Sequence, residues 1–282
     1  MRILTFDLEE WFHLLDNEST KTEKEWSKYE NRFPGNVDKI LDLLQHHNLT
    51  ATFFCLGWAA RTYPQVLKKI DELGFEVASH SNRHQLAYDQ NRSSFRHDLE
   101  ESIKAIEDVT GKKPRAYRAP GFSFKTENKW VFEVLIECGF KIDCSIFPAK
   151  RAHGGFEQFG LAEPGFIEVN GLRIKEFPIN LYSFWGKNII FSGGGYFRLL
   201  PYWIIRRLTD KSDYVMTYFH PRDFDPDQPL IKDLPLIRKF KSYYGLKGAL
   251  AKLNKMLEDF HFVDLQEADR LYDWEKAKVI RL

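Results

Sequence analysis

Short apolar runs that alternate with helical periods constrain this chain of 282 residues more than any other feature. Arg2–Phe6 (RILTF) fits a buried strand, and Val37–His47 then places Val37, Ile40, Leu41 and Leu44 at helical spacing. Ala51–Cys55 is again strand-like; a helix follows with Pro64 in its first turn and Gly74 at its end, then the strand Phe75–Ser79. Ser93 or Ser94 can cap a long helix closed by Gly111. A strand at Arg115–Arg118, a helix at Thr126–Cys138 and a strand at Phe140–Cys144 come next. Residues 146–165 form an irregular excursion, and Phe166–Pro178 reads as a hairpin turning at Asn170-Gly171. A helix near 198–209, a strand at Tyr214–Phe219, a helix near 243–258, a strand at His261–Leu265 and a short closing helix complete the order. Strand–helix alternation means a parallel sheet, and seven or eight such units favour closure. The expected fold is α/β, a distorted (β/α) barrel of seven or eight strands with insertions, in a single domain over 1–282.

Composition narrows the function. A formal net charge of +1 lacks the basic footprint of a nucleic-acid binder and argues against a polybasic membrane anchor. No window approaches 18 consecutive apolar residues, so no membrane span is expected. Asp7, Glu9 and Glu10 stand where a signal peptide would be apolar, and Cys55, Cys138 and Cys144 form no disulfide pattern; both suggest the cytoplasm. Aromatic residues make up 15%, enough to supply flat faces that suit sugar rings.

Parallel α/β folds gather chemistry at the C-terminal ends of their strands. Those positions hold Asp7, Glu9, Glu10, His80, His84, Arg118, Asp143 and His220. His80-Ser81-Asn82-Arg83-His84 has H-x-x-x-H spacing, which on a helical turn or tight loop lets two imidazoles face one cation. In extended chain Asp7 and Glu9 share a side and Glu10 points away, which suits a solvated loop. Two carboxylates on one face could serve as base and as ligand. His13 and His153, in loops, are further cleft candidates, whereas Gly193–Gly195 fits no phosphate-binding pattern and reads as a flexible loop.

Thr5-Phe6-Asp7, the H-x-x-x-H segment, Arg118-Ala119-Pro120 and Tyr218-Phe219-His220-Pro221 resemble, in order and spacing, the motifs of NodB-homology polysaccharide deacetylases, carbohydrate esterase family four. The resemblance covers a core of about 2–225, leaving 226–282 as an extension, and Gly193–Pro229 with the tail resembles a bacterial branch associated with exopolysaccharide and surface glycans. It implies a divalent metal, usually zinc, and hydrolysis of N-acetyl groups on an amino sugar of a glycan or glycan precursor. By the same resemblance Asp7 is the base, His80 and His84 are ligands, Arg118 orients the base, His220 is the acid, and a backbone amide near Gly121 meets the oxyanion. The family's second aspartate is replaced by Leu8, so the carboxylate ligand passes to Glu9. The family motif holding the acidic partner of the acid histidine is missing here, and Asp143 is taken for that role. The partners expected are an N-acetylated sugar or glycan, and no nucleic acid.

Overall fold

The computed structural model describes all residues except 16, 21, 150–152, 161, 185–186 and 232. Its first strand is interrupted at Leu4, giving β1 (Arg2–Ile3) and β2 (Thr5–Leu8). After the short α1 (Glu23–Trp26) come α2 (Phe33–His46), β3 (Thr52–Cys55), α3 (Gly57–Thr62), α4 (Pro64–Glu72) and β4 (Glu76–Ser79). Next in order are α5 (Arg92–Thr110), β5 (Ala116–Tyr117), α6 (Trp130–Glu137) and β6 (Ile142–Asp143). A hairpin of β7 (Gly165–Val169) and β8 (Leu172–Glu176) turns at Asn170-Gly171, both at positive φ as a two-residue hairpin turn requires. A second hairpin, β9 (Tyr182–Phe184) with β10 (Lys187–Ile189), was not expected.

The expected helix at 198–209 is two pieces, α7 (Gly194–Leu199) and α8 (Tyr202–Asp210), with Pro201 at the break. The strand expected at Tyr214–Phe219 shortens to β11 (Val215–Met216), with isolated bridges at Tyr218 and Phe219. The chain closes with α9 (Leu236–Tyr243), α10 (Leu246–Asp259), α11 (Leu265–Leu271) and β12 (Val279–Arg281). α5 starts from Asn91, whose side chain and that of Ser94 cap each other's backbone N–H; the Ser94 expected as cap is the reciprocal partner.

β2, β3, β4, β5, β6 and β8 pair in parallel in that order, with β7 antiparallel to β8 and β12 parallel to β7. On the far side β1 pairs in parallel with β11, and Phe6 bridges Phe219. β11 meets the segment after β8 through Tyr214 Oη, which donates to the Pro178 carbonyl at 2.7 Å, and Met216 N–H, which donates to Asn180 Oδ1 at 3.0 Å. Strand alternation then sorts the cores. Ile3, Phe54, Ala78, Ala116, Ile142 and Met216, one from each of six strands, meet in one inner cluster. Leu4, Phe6, Leu8 and Phe53 point outward, against helix residues such as Ile40 and Leu44. The architecture is the expected distorted barrel-like parallel sheet sheathed by helices.

The tail is not an appendage. Val263 bridges Ile3, and β12 extends the sheet at β7. Among the described residues no helix is long and apolar enough to cross a membrane.

Candidate active site

Parity delivers the site. On the first strand Ile3 faces inward, so Thr5 and Asp7 do too; from β4 the inward Ala78 leads to His80, from β5 Ala116 leads to Arg118, and from β11 Met216 leads to His220. Four polar side chains thus leave four strand ends on one surface. Leu8, which has no donor atom, faces outward into apolar core, so position 8 is turned away from the site. Beyond it the chain tightens, with Glu9 N–H donating to the Asp7 carbonyl at 3.0 Å, and Glu9 joins the same surface.

Glu9 Oε1 lies 2.9 Å from His80 Nε2 and 2.8 Å from His84 Nε2. His80 Nδ1 sits 2.8 Å from the Arg118 carbonyl, an arrangement in which Nδ1–H donates and the Nε2 lone pair is left for the site. The H-x-x-x-H segment is a loop, not a helical turn: Ser81 and His84 both have positive φ, at 72° and 56°. Such non-glycine conformations cost on the order of 1–3 kcal/mol each and persist where surroundings over-determine them. Here the Ser81 and Asn82 carbonyls accept from the first N–H groups of α3, at 2.9 Å each, while Asn82 N–H donates to Asp98 Oδ2 at 2.9 Å.

Burial opposes the Glu9 carboxylate, yet the charges of His84 and His220 and the hydrogen bonds from His80 and His84 hold it well below the usual carboxylate range. Glu9, His80 and His84 place three ligand atoms within 4.8 Å of one another, and one carboxylate with two imidazoles is a donor set for a divalent first-row cation with open positions. The residues fit such an ion.

Arg118 is fully buried over the Phe54 ring and donates through Nη1 to Asp7 Oδ1 and Thr5 Oγ1, both at 2.7 Å. Asp7 Oδ2 is left facing His220 Nε2 at 3.9 Å. His220 keeps 22% of its side chain exposed, within reach of an incoming ligand. Its Nδ1 lies 3.0 Å from Asp223 Oδ2, and Asp223 Oδ1 in turn lies 2.9 Å from the buried Arg198 Nε. Burial pulls the imidazolium down, but the Glu9 charge, the Asp223 hydrogen bond and Asp7 outweigh it and raise its pKa to about 9.

Two acids are placed differently from the sequence reading. Asp143 is not the partner of His220. Its neighbours Ile142 and Cys144 face the inner cluster, so parity turns Asp143 the other way, where its Oδ1 accepts from Ser145 Oγ at 2.6 Å. Burial raises the pKa of Asp143, to about 6, and that of Glu176, which the Asp143 charge raises further. Ser145 Oγ also accepts from Ala119 N–H at 2.8 Å, so Asp143 braces the 118–119 peptide whose carbonyl faces His80. Nor is Glu10 in a solvated loop. It is buried, and its Oε1 accepts from Arg32 N–H and Phe33 N–H, both at 3.0 Å, and from Tyr63 Oη at 3.1 Å, tying the end of the first strand to the start of α2.

Gly193–Gly195, expected as a flexible loop, opens α7. Gly193 packs so closely on the Tyr218 backbone that a Cβ there would collide with it, and a Cβ on Gly194 would lie 3.9 Å from His220 Cε1. His13 lies behind the site, buried among Trp26, Trp58 and His84, its ring centroid 5.7 Å from that of His84. Burial, and next the charge of His84, depresses its pKa well below the ordinary value. Gly121, at φ 60°, has Leu15 and Leu86 where a side chain would sit. Asp223 and Arg198 went unread in the sequence; the signal for Asp223 was an acid three residues past His220, where it also accepts from the His220 N–H at 3.0 Å.

Residues 18–142 match the polysaccharide deacetylase family, and residues 144–270 match a domain of unknown function, DUF3473. The peptidoglycan deacetylase of Helicobacter pylori is 31% identical over 110 residues, which is 39% of this chain and 36% of that protein. The chain thus spans about a third of the length of such curated relatives. Among solved structures, a Mycobacterium smegmatis protein assigned to the polysaccharide deacetylases superposes with a TM-score of 0.66 at 20% identity, covering 99% of this chain and 92% of that one. A Bacillus anthracis pseudoenzyme of carbohydrate esterase family four superposes with a TM-score of 0.51 at 14% identity, over 95% of this chain and 64% of its own.

Proposed function

We propose that this chain, which carries a polysaccharide deacetylase domain of the NodB-homology type, is a metal-dependent N-deacetylase acting on an amino sugar of a glycan or glycan precursor. The observation that carries this reading is the convergence of three sets on one end of the sheet: Glu9 with His80 and His84, Asp7 with Arg118, and His220 with Asp223.

Glu9, His80 and His84 would hold the cation, zinc in this reading, which when bound supplies Lewis-acid polarisation of the acetamide carbonyl and a more acidic water. Arg118 holds Asp7 through Oδ1, so Oδ2 is the atom that takes a proton from the attacking water. A backbone amide near Gly121 meets the oxyanion. Asp223 keeps the His220 Nδ1–H in place, so Nε2–H points into the site and donates to the departing nitrogen. One C–O bond forms and the amide C–N bond breaks, leaving acetate and a free amino sugar. The alternative of a catalytically inactive glycan-binding module fits poorly with so complete a set of ligands, base and acid. Cytoplasmic placement is part of the same proposal, supported by three unpaired cysteines and open to cell fractionation.

The test is acetate release across N-acetylated monosaccharides, nucleotide sugars and oligomers. Asp7→Asn should keep its zinc and lose about 10²–10⁴-fold in rate, the worth of a positioned base. Binding of oligomers without acetate release by the zinc-loaded protein would favour a glycan-binding module; release of another small acid would favour a different amide substrate.

A further inference from the structure

The near-neutral total hides a strong segregation of charge. Residues 177–209 contain four Lys or Arg and no carboxylate, and residues 234–257 contain six and none, so the rest of the chain is net acidic. These two cationic stretches include α7, α9 and nearly all of α8 and α10. They also hold most of the large apolar side chains left in solvent, among them Leu236 at 83% exposure, Ile237 at 72%, Trp203 at 66% and Phe240 at 53%.

Apart from Trp203, the exposed set is continuous. Leu236, Ile237 and Phe240 lie at i, i+1 and i+4 of α9, a helix with no buried residue. The Phe240 ring is 4.8 Å from that of Tyr244, and Tyr244 lines a surface groove together with Leu199. Exposed Lys241 follows Phe240 directly, and exposed Lys247 lines a groove with Tyr244. Chain geometry shows that the exposure is built in. Arg198 turns inward to Asp223 and donates to the Lys241, Ser242 and Tyr244 carbonyls, fixing the end of α9, while the adjacent Leu199 turns out.

We propose that this face docks on an anionic phospholipid surface. Apolar side chains ringed by cations are what a helix needs to lie in a charged interface, with burial of apolar area and attraction to headgroups adding together. Exposed apolar area concentrated on one face marks a contact site. The charge argues against a second copy as occupant, because a two-fold packing of this face on itself would set cations against cations. Arg198 makes the face the outer side of the structure that holds the His220 partner, so docking would bring the acid side of the catalytic surface close to the bilayer.

Cosedimentation of the full chain with vesicles of phosphatidylcholine, and of phosphatidylcholine mixed with phosphatidylglycerol, tests this. Binding to the mixed vesicles should exceed binding to the neutral ones by about tenfold or more, and weaken as salt rises, since each basic residue near such a surface contributes on the order of 1 kcal/mol. Two variants should each lose that binding while keeping the circular dichroism spectrum and acetate release from a soluble substrate. One is L236S/I237S/F240S, whose side chains are already in solvent; the other is K241E/K247E. Absence of binding to the mixed vesicles at low salt overturns the proposal. So does binding that both variants retain, or a dimer in solution that L236S/I237S/F240S converts to monomer.

Discussion

His220 is held between two carboxylates that serve different ends: Glu9 on the site side, 3.9 Å from Nε2, and Asp223 behind, 3.0 Å from Nδ1. Both favour the imidazolium, which is why its pKa stands near 9 despite the loss of water. A group raised in the folded state stabilises the fold below its unfolded pKa, and that contribution disappears as pH rises through about 9. Asp223, lowered to about 2, also stabilises the fold but with the opposite pH dependence: burial opposes its charge, but Arg198 and His220 prevail, and the contribution fades as pH falls toward 2. In the metal-free protein an NMR titration of the His220 ring should therefore show a midpoint near 9. Zinc on Glu9 would neutralise the charge that most supports the imidazolium, so the same midpoint should fall when zinc is added. Asp223→Asn should lower it in both forms, and activity should decline above the zinc-form midpoint as the acid deprotonates. A midpoint unmoved by Asp223→Asn would remove Asp223 from its role. Asp223 was hidden in the sequence because an acid three residues after a histidine is common in turns, and only the fold shows the ring folded back onto it.

Among elements, the first strand and its continuation show what sequence can and cannot reveal. Period-two alternation was enough to put Asp7 and Glu9 together and to separate Glu10 from them, and applied to β4, β5 and β11 it also aims His80, Arg118 and His220 inward. What alternation could not show is where the outward residue goes. Glu10 lands on the start of α2, accepting from two backbone N–H groups that would otherwise have no partner at the helix N-terminus. Glu10→Ala should consequently destabilise the fold by about 1–3 kcal/mol, the cost of leaving buried donors unpaired, while zinc affinity stays close to that of the parent. Glu9→Ala should do the reverse, losing zinc with a smaller effect on the metal-free fold. Denaturant midpoints and zinc titration of the two variants, measured side by side, check the assignment; loss of zinc in Glu10→Ala would mean that Glu10 itself reaches the site. Gly193–Gly195 failed as a sequence signal for a related reason. A run of glycines reads as freedom, whereas at Gly193 the missing side chain allows the Tyr218 backbone to approach, a contact 25 residues away in sequence.

For the whole molecule, the two matched segments abut near residue 143, which on its face describes two domains. Their strands do not separate that way. β6 and β8 are sheet neighbours from opposite sides of the join, β1 pairs with β11, and Phe6 bridges Phe219. The inner cluster mixes Ile3, Phe54 and Ala78 with Phe177, Met216 and Leu265. The site is divided as well, since Asp7, Glu9, His80, His84 and Arg118 precede the join and His220 with Asp223 follow it. Neither segment can close its core alone, so burial of apolar surface is shared and unfolding should be cooperative. In urea, the loss of helical circular dichroism should coincide with fluorescence changes from single-tryptophan variants keeping Trp58, in the first segment, or Trp274, in the tail just past the second. The tail belongs to the same unit: β12 pairs with β7, and the Trp274 ring packs 5.4 Å from Phe177. Deleting residues 272–282 should then lower the midpoint for Trp58 as much as for the helices, although Trp58 lies in the first matched segment and the deleted residues lie beyond the second. Two separated transitions, or a deletion felt only by the second segment, would show instead that the join near 143 is a true domain boundary.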